Sequence, residues 1–439
     1  MKNVRYGLND IIGSKKLKTL ELTFGIQKMT SIEEENGSLT LKLWLKPKNP
    51  QCPVCGGPAA IHGYYSRRLN HATFANRRCT IIYQERRYKC KICNLTFHED
   101  NPFINTSEGL TYETKINILK DLKYPGATYT NVARRYNISV TKVLRIFDSH
   151  VRIPRKPLPE ILSVDEHYFP SSDYEALYCC LLMDFKTGVI IDVLPDRRQD
   201  FVSHYLTEIK KNTWNYTLHQ SELDNVKYVS TDLHEPFRNL AKAYFPKAKI
   251  CADSFHVIKN LTNCFRNILI RCRKQALSEE MVYLIFKFRH VFYHNANLDN
   301  KAKYNRRLKR YLTYRQIRDL AFATFPELAK AYELKEYYIN MNSSCTASTA
   351  AKMLEEAIDV FGNSGIIEYE PFATLLINWR EEIINSFTYV GDSRINNSHI
   401  ESKNRMLERL MYNANGFRNF DRTRNRILYC LNRNETYTL

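Results

Sequence analysis

Two pairs of cysteines stand in the spacing that metal chemistry uses. Cys52 and Cys55 lie in "CPVCGG", and Cys90 and Cys93 in "CKIC". A CxxC turn presents two thiolates from one tight loop, and two such turns complete a tetrahedral Zn²⁺ shell. Gly56 and Gly57 suit the sharp turn that follows such a knuckle. Two unrelated reduced pairs are the alternative. His62, His71 and His98 are close enough in sequence to replace a thiolate, but four sulfurs need no substitute.

A second set of residues is acidic. Asp165 lies in "SVDEHYF", Asp232 in "VSTDLHEPF", Asp253 and His256 in "ICADSFHVIK", and Glu401 in "HIESKN". The aspartates close short apolar runs, and each acid has two readings. Asp232 with Glu235, and Ser398 with Glu401, have capping-box spacing, and Asp253 precedes a helical pattern that it could cap. The other reading is a metal site. Asp165 is the hardest to dismiss, because acids are disfavoured in strands and Glu166 and His167 follow it.

The elements that must position these acids can be read in order. "EILSVDEHYF" is a strand ending near Asp165, and "EALYCCLLMDFKTGVIIDVLPDRR" is two strands about a "DFKTG" turn. "QDFVSHYLTEIKK" is helical, "NVKYVSTD" is a strand ending at Asp232, and "HEPFRNLAKAYF" is a helix. "AKICAD" is a strand ending at Asp253, and the long helix "FHVIKNLTNCFRNILIRCRKQAL" follows. Residues 257–390 have helical periodicity, including "TASTAAKMLEEAIDVFG" and "FATLLINWREEIINSF"; Trp379 there fits a core position better than a base-stacking one. In the C-terminal helix Ile400, Leu407, Leu410 and Met411 form an apolar stripe, with Glu401, Asn404, Arg405 and Glu408 beside it.

The N-terminal third reads as a binding module. Arg67, Arg68, Arg77, Arg78, Arg86, Arg87, Lys89 and Lys91 interleave with Tyr64, Tyr65, Tyr83 and Tyr88, a pattern that suits phosphate contact and stacking, or simply a solvated face. In "TYTNVARRYNISVTKVLRIFDSHV", Val132, Ala133 and Tyr136 share one helical face. Val140, Val143, Leu144 and Phe147 begin a second, which Ser139 can cap. Two short helices, the second bearing Lys142 and Arg145, read as a helix-turn-helix. "RIPRKPLPE" is a proline-rich basic linker before a new domain near Ile161.

Composition bounds the partner. A formal net charge of +19 favours a polyanion, of which nucleic acid is the commonest, over an anionic membrane surface. The longest apolar run, "ALYCCLLM", is too short to cross a bilayer, and the opening "MKNVRYGLNDIIGSKK" lacks the apolar stretch of a signal peptide. A soluble, cytoplasmic protein is expected. The 12 cysteines of such a chain do not read as a disulfide framework. Cys179, Cys180, Cys251 and Cys430 sit in apolar runs as small hydrophobes.

Taken in order, the CxxC pairs, the helix pair, "SVDEHYF", "VSTDLHEPF", "FPKAKICADSFHVIK" and "HIESKNRMLERLMYNANGFRNFDRTRNRIL" resemble transposases of the ISL3 insertion-sequence family, over about residues 45 to 430. The resemblance implies an α/β catalytic core of ribonuclease H-like type, interrupted by a large α-helical insertion and preceded by a zinc-binding module and a helix-turn-helix. It implies that Asp165, Asp232 and Glu401 hold Mg²⁺ or Mn²⁺ for DNA cleavage and strand transfer, with Asp253 and His256 nearby. Structural Zn²⁺ on the four cysteines, Lys142 and Arg145 on DNA, Arg418, Arg422, Arg424 and Arg426 on the DNA backbone or simply on a solvated helical face, and a homodimer or larger assembly on two terminal inverted repeats complete the expectation. A bacterial, nucleoid-associated location goes with it. The glycine that such families often place just before the glutamate is missing here, where His399 and Ile400 stand.

The expected segments are 1–44 as an N-terminal segment, 45–100 as the zinc module and 101–151 as the helix-turn-helix. The core follows at 161–256, the insertion at 257–390, and a C-terminal part of the core carrying the third acid at 391–439. A rival reading is a non-catalytic zinc and helix-turn-helix regulator derived from a transposase. Another is a metal-dependent nuclease that cuts without joining.

Overall fold

The structure, a computed structural model, describes residues 26–35, 38–74, 77–103, 109–171, 173–293, 297–414 and 419–438. Chain contacts divide it into two compact units. One comprises residues 1–153, 406–417 and 421–439; the other comprises 154–405 and 418–420. The C-terminal segment expected as one piece, 391–439, is thus divided between them.

In the first unit, the strands Ala59–Phe74 and Arg77–Cys90 form a long antiparallel pair. Thr96–His98 adds to the second of these, and Ser38–Leu45 lies parallel to it. Alternation in "SLTLKLWL" buries Leu39, Leu41, Leu43 and Leu45 against Leu69, Ile81 and Tyr83. Strand Ile26–Glu35 pairs outside Ser38–Leu45, so the sheet reaches well before residue 45. Three helices follow, at Tyr112–Lys123, Tyr129–Tyr136 and Val140–His150. Asn137 turns the chain between the last two in a left-handed conformation, φ 52°, and the Ser139 hydroxyl accepts from Lys142 N to cap the third helix.

The second unit is built on a five-stranded sheet. Its order is Lys249–Ala252, Tyr228–Thr231, Ile161–Ser171, Ala176–Asp184, Ile190–Leu194. The first three strands are parallel and the last two antiparallel to their neighbours. Helices Gln199–Asn212 and Glu235–Tyr244 supply the crossovers; Val202, Leu206, Phe237 and Leu240 pack with Leu162, Val164, Val229 and Ile250. Strand Ile161–Ser171 runs beyond Asp165, where a strand end is expected. Only its parallel pairing stops before that point, while Asp165, His167 and Tyr168 continue to pair with Leu181, Cys179 and Tyr178.

From Ser254 the unit becomes helical, through Ser254–Gln275, Glu279–Lys287, Tyr314–Thr324, Pro326–Ser344, Ala350–Gly362 and Glu370–Asn378. Phe265, Tyr338, Phe361, Phe372 and Trp379 fill its core. Trp379 is buried there, with the Arg238 guanidinium 4.3 Å from its ring centre, and is not presented to a base. The periodicity did not reveal a small hairpin, Lys303–Asn305 with Arg310–Leu312, between these helices.

Candidate functional site

Strand register brings three aspartates together. Ser163 pairs with Ser230 in the parallel ladder, so two more residues put Asp165 level with Asp232. Ala252 pairs with Thr231, and Asp253 N donates to Thr231 O at 2.9 Å, so Asp253 leaves the next strand at the same level. The carboxyl ends of adjacent parallel strands are where an open α/β sheet binds its ligands.

None of the three capping readings describes these acids. The helix after Asp232 begins at Glu235 behind His234. Asp253 occupies the cap position of Ser254–Gln275, but its side chain makes no cap hydrogen bond. Its Oδ1 instead accepts from Asn397 N at 3.2 Å, and its Oδ2 is buried with no hydrogen-bond partner among the described residues. Glu401 N bonds to Asn397 O, so Asn397 rather than Ser398 opens the helix Ser398–Ala414.

Glu401 reaches Asp253 because that helix start is pinned. Asn397 Oδ1 accepts from Ser230 Oγ at 2.7 Å. Just before it, Arg394 donates to Ser386 O and Asn342 O and stacks 3.6 Å from the Phe387 ring centre, which ties the approach to the helical lobe. One ligand atom each from Asp253, His256 and Glu401 then lies within 4.8 Å of the others. Asp165 and Asp232 fall outside that tight group. His256 links the two sets, with Nδ1 3.7 Å from Asp232 Oδ2. Glu166 is on the other face of its strand by alternation, and the Arg197 guanidinium pairs with it.

Burial shifts three of the carboxyls towards their neutral form. Burial pushes Asp165 up to about 7; the Glu166 N–H opposes the rise and the charge of Asp232 adds to it. Burial also raises Asp232, against the pull of His256, and raises Glu401, where Asp253 adds to the effect. Clustered, half-desolvated acids, one with an orphaned oxygen, are a donor set suited to a hard divalent cation, which would supply the missing charge. Asn404, three residues after Glu401, donates its amide to Asp165 Oδ2 at 2.7 Å. Its place beside Glu401 is visible in the helical spacing, but the partner across the fold is not. Asn397 carries no such signal.

In the first unit the four cysteine sulfurs converge. Cys52 and Cys93, Cys55 and Cys90, and Cys55 and Cys93 each stand 3.5 Å apart. Tetrahedral zinc–thiolate bonds of about 2.3 Å place sulfurs roughly 3.8 Å from one another. Gly56, at φ 68°, and Asn94, at φ 59°, turn the two knuckles. N–H groups of Cys93 and Ile92 draw the Cys90 thiol down to about 6, and those of Cys55 and Val54 lower Cys52. Cys93 goes up, to about 12: the Leu95 N–H lowers it, but hydrogen bonds with Cys52 and Cys55 outweigh that, because without a cation only some of four crowded thiols can ionise.

A family model described as a transposase, that of the ISL3 type, matches residues 162–427. The chain belongs to the ISL3 family of insertion-sequence transposases. A second model, described as the zinc-finger of transposase IS204/IS1001/IS1096/IS1165, matches residues 48–93, and the four thiols fit its structural zinc ion. No curated protein matches the chain significantly. Among the described residues, no helix of the transposase is long and apolar enough to cross a membrane.

Several basic residues of the transposase that suit phosphate contact are committed elsewhere. Arg86 is buried, pairs with Glu99 and donates to Leu45 O, while Tyr83 and Tyr88 lie in the core. Tyr64 and Tyr65 remain exposed. Arg422 grips Asp148 with Nε and Nη2, at 2.7 and 2.6 Å. Arg426 is buried and donates to Tyr124 O and Ala127 O. On the helix Val140–His150, Arg145 is exposed and Lys142 half-buried. Arg418 lies outside the described residues.

Proposed function

We propose that this transposase binds the terminal inverted repeats of its insertion sequence and cleaves and joins DNA strands at a divalent-metal site held by Asp165, Asp232 and Glu401. The observation that carries the reading is that Asp165, Asp232 and Asp253 stand level at the carboxyl ends of three parallel strands, with His256 and Glu401 gathered around Asp253. The strand order, with the Asp165 strand beside the one that ends before Asp232, supports a ribonuclease H-like core.

Divalent cations, Mg²⁺ or Mn²⁺, when bound there activate the attacking oxygen and stabilise the leaving one. The chain's own groups do the rest. Asp165, Asp232 and Glu401 would hold the cation, and Asp253 Oδ2 gives the group near Glu401 a further acceptor. Asn404 fixes the rotamer of Asp165. His256, with Nδ1 3.7 Å from Asp232 Oδ2 and a ring nitrogen grouped with Asp253 and Glu401, stands beside both sets of acids. The zinc ribbon and the helix pair Tyr129–Tyr136 and Val140–His150, read as a helix-turn-helix with Lys142 and Arg145 on its second helix, recognise the duplex. Synapsis of two ends requires at least a homodimer.

The test uses labelled DNA carrying the sequences that flank this gene, incubated with purified protein and Mg²⁺ beside Glu401→Gln. Cleavage at the element ends and joined products, both lost in the variant, are the expected result. Breaks without joining would identify a nuclease, and specific binding without cleavage by either protein would identify a regulator.

A further inference from the structure

Within the helical part of the second unit, the hairpin of Lys303–Asn305 and Arg310–Leu312 is the most basic short stretch that the acid site leaves unexplained. Residues 300–312, "NKAKYNRRLKRYL", hold six cations and no acid. The hairpin is built, not loose. Asn305 Oδ1 accepts from Arg307 N and Leu308 N, at 3.0 and 3.1 Å, and Lys309 closes the turn at φ 50°. Leu312 belongs to the helical core and Leu308 packs against it, so one side is anchored. The other side faces water. Tyr304 and Tyr311 pair across the strands with ring centres 5.2 Å apart and are 53% and 68% exposed, and Lys303, Arg306, Lys309 and Arg310 are exposed around them.

The cationic surface continues onto the neighbouring helix Glu279–Lys287. Arg307 pairs with Glu279 and lies 5.0 Å from the Tyr283 ring centre. One turn further on, the exposed Phe286 ring is approached by Arg273 and Arg289, at 5.7 and 5.8 Å. Two outward tyrosines cost a soluble surface solvation and add nothing to the core. Surrounded by uncompensated cations, they suit a ligand with a polyanionic edge and flat, partly apolar faces, which is DNA. A two-stranded ribbon is also narrow enough to enter a major groove.

We propose that hairpin 303–312 is a second, sequence-independent contact of this protein with duplex DNA, gripping phosphates with Arg306, Lys309 and Arg310 and laying Tyr304 and Tyr311 against the sugar and base edges. It rests on the DNA-transposase reading, and adds a contact on the catalytic unit to those of the zinc ribbon and helix pair.

The test measures binding of the full chain across a salt series, on a duplex of the DNA flanking this gene and on one of unrelated sequence. Replacing Arg306, Lys309 and Arg310 together by alanine is expected to weaken both complexes about tenfold and to lower the slope of log affinity against log salt by about two to three. Replacing Lys210, Lys211 and Lys352, exposed cations elsewhere on the same unit, controls for net charge. Tyr304→Ala with Tyr311→Ala is expected to weaken both complexes at an unchanged slope, and no weakening would overturn the assignment of the rings. A hairpin variant indistinguishable from the charge control overturns the proposal while wild-type binding leaves the transposase reading standing. If wild type binds neither duplex, both fall. Independently of variant folding, a photoreactive side chain at position 309 should crosslink to either duplex, and one at position 211 should not; the reverse also overturns the proposal.

Discussion

Asn404 and Asp165, separated by most of the catalytic unit in sequence, are joined by a 2.7 Å hydrogen bond from the Asn404 amide to Asp165 Oδ2. The other carboxylate oxygen accepts from Glu166 N at 2.8 Å. Both oxygens of a buried acid are therefore held in place by hydrogen bonds. The helix that carries Glu401 one turn earlier supplies one of these two bonds, so the strand acid Asp165 and the helix acid Glu401 are tied to the same element.

Asn404→Ala should loosen Asp165 without altering the ligand set. Loss of such a supporting hydrogen bond typically weakens metal affinity by about 10–100-fold. Mn²⁺ binding followed by electron paramagnetic resonance should show the weakening, and the rise in melting temperature on adding Mg²⁺ should shift to higher concentration. Unchanged Mn²⁺ affinity would show that the bond has no part in metal binding.

The burial of Asp165 is expected to make the metal-free protein pH-sensitive. Its folded-state pKa, about 7, lies above the ordinary carboxyl value, 3.8. The native state therefore keeps a proton that the unfolded chain releases, and the stability this gives is present below pH 4 and is lost as pH rises towards 7. Asp165→Asn removes the dependence. Urea denaturation in chelator at pH 5 and pH 8 should show the variant gaining on wild type at the higher pH by about 1–3 kcal/mol. Equal differences at the two pH values would contradict the neutral carboxyl.

The cysteine cluster should bind one zinc ion per chain. Co²⁺ substitution should give the intense visible bands of tetrahedral thiolate ligation, and Cys55→Ser or Cys93→Ser should diminish them. Chelation should lower the melting temperature of the first unit, because a metal on the four thiols would tie the knuckle before strand Ala59–Phe74 to the one after strand Arg77–Cys90.

Arg426 is expected to matter for stability and not for DNA. It is 2% exposed and donates to two backbone carbonyls in the turn after helix Tyr112–Lys123. Arg426→Ala removes a buried donor from both carbonyls, although Tyr124 O keeps its bond from Ala127 N, and should cost about 2–4 kcal/mol in chemical denaturation. The salt slope of DNA binding should stay that of wild type, whereas Arg145→Ala should lower it by about one.

The sequence by itself determined the local parts of this protein. CxxC spacing is a property of one turn, so both knuckles were legible, and so were Ser139 as a cap and the apolar runs of the five core strands, since each depends on near neighbours. The motifs in their order identified the family. What distance along the chain separates, only the tertiary structure decided. A capping box and a metal ligand share one spelling, and Asp232, Asp253 and Glu401 were resolved from caps by where Asn397 and the parallel register hold them. Arginines that alike resemble phosphate contacts divide into the buried Arg426, the paired Arg422 and the exposed Arg145, because burial depends on what packs from elsewhere. The bond from Asn404 to Asp165 belongs to this second class: its donor is visible on a helical face, but its acceptor arrives from a strand that no local pattern brings near.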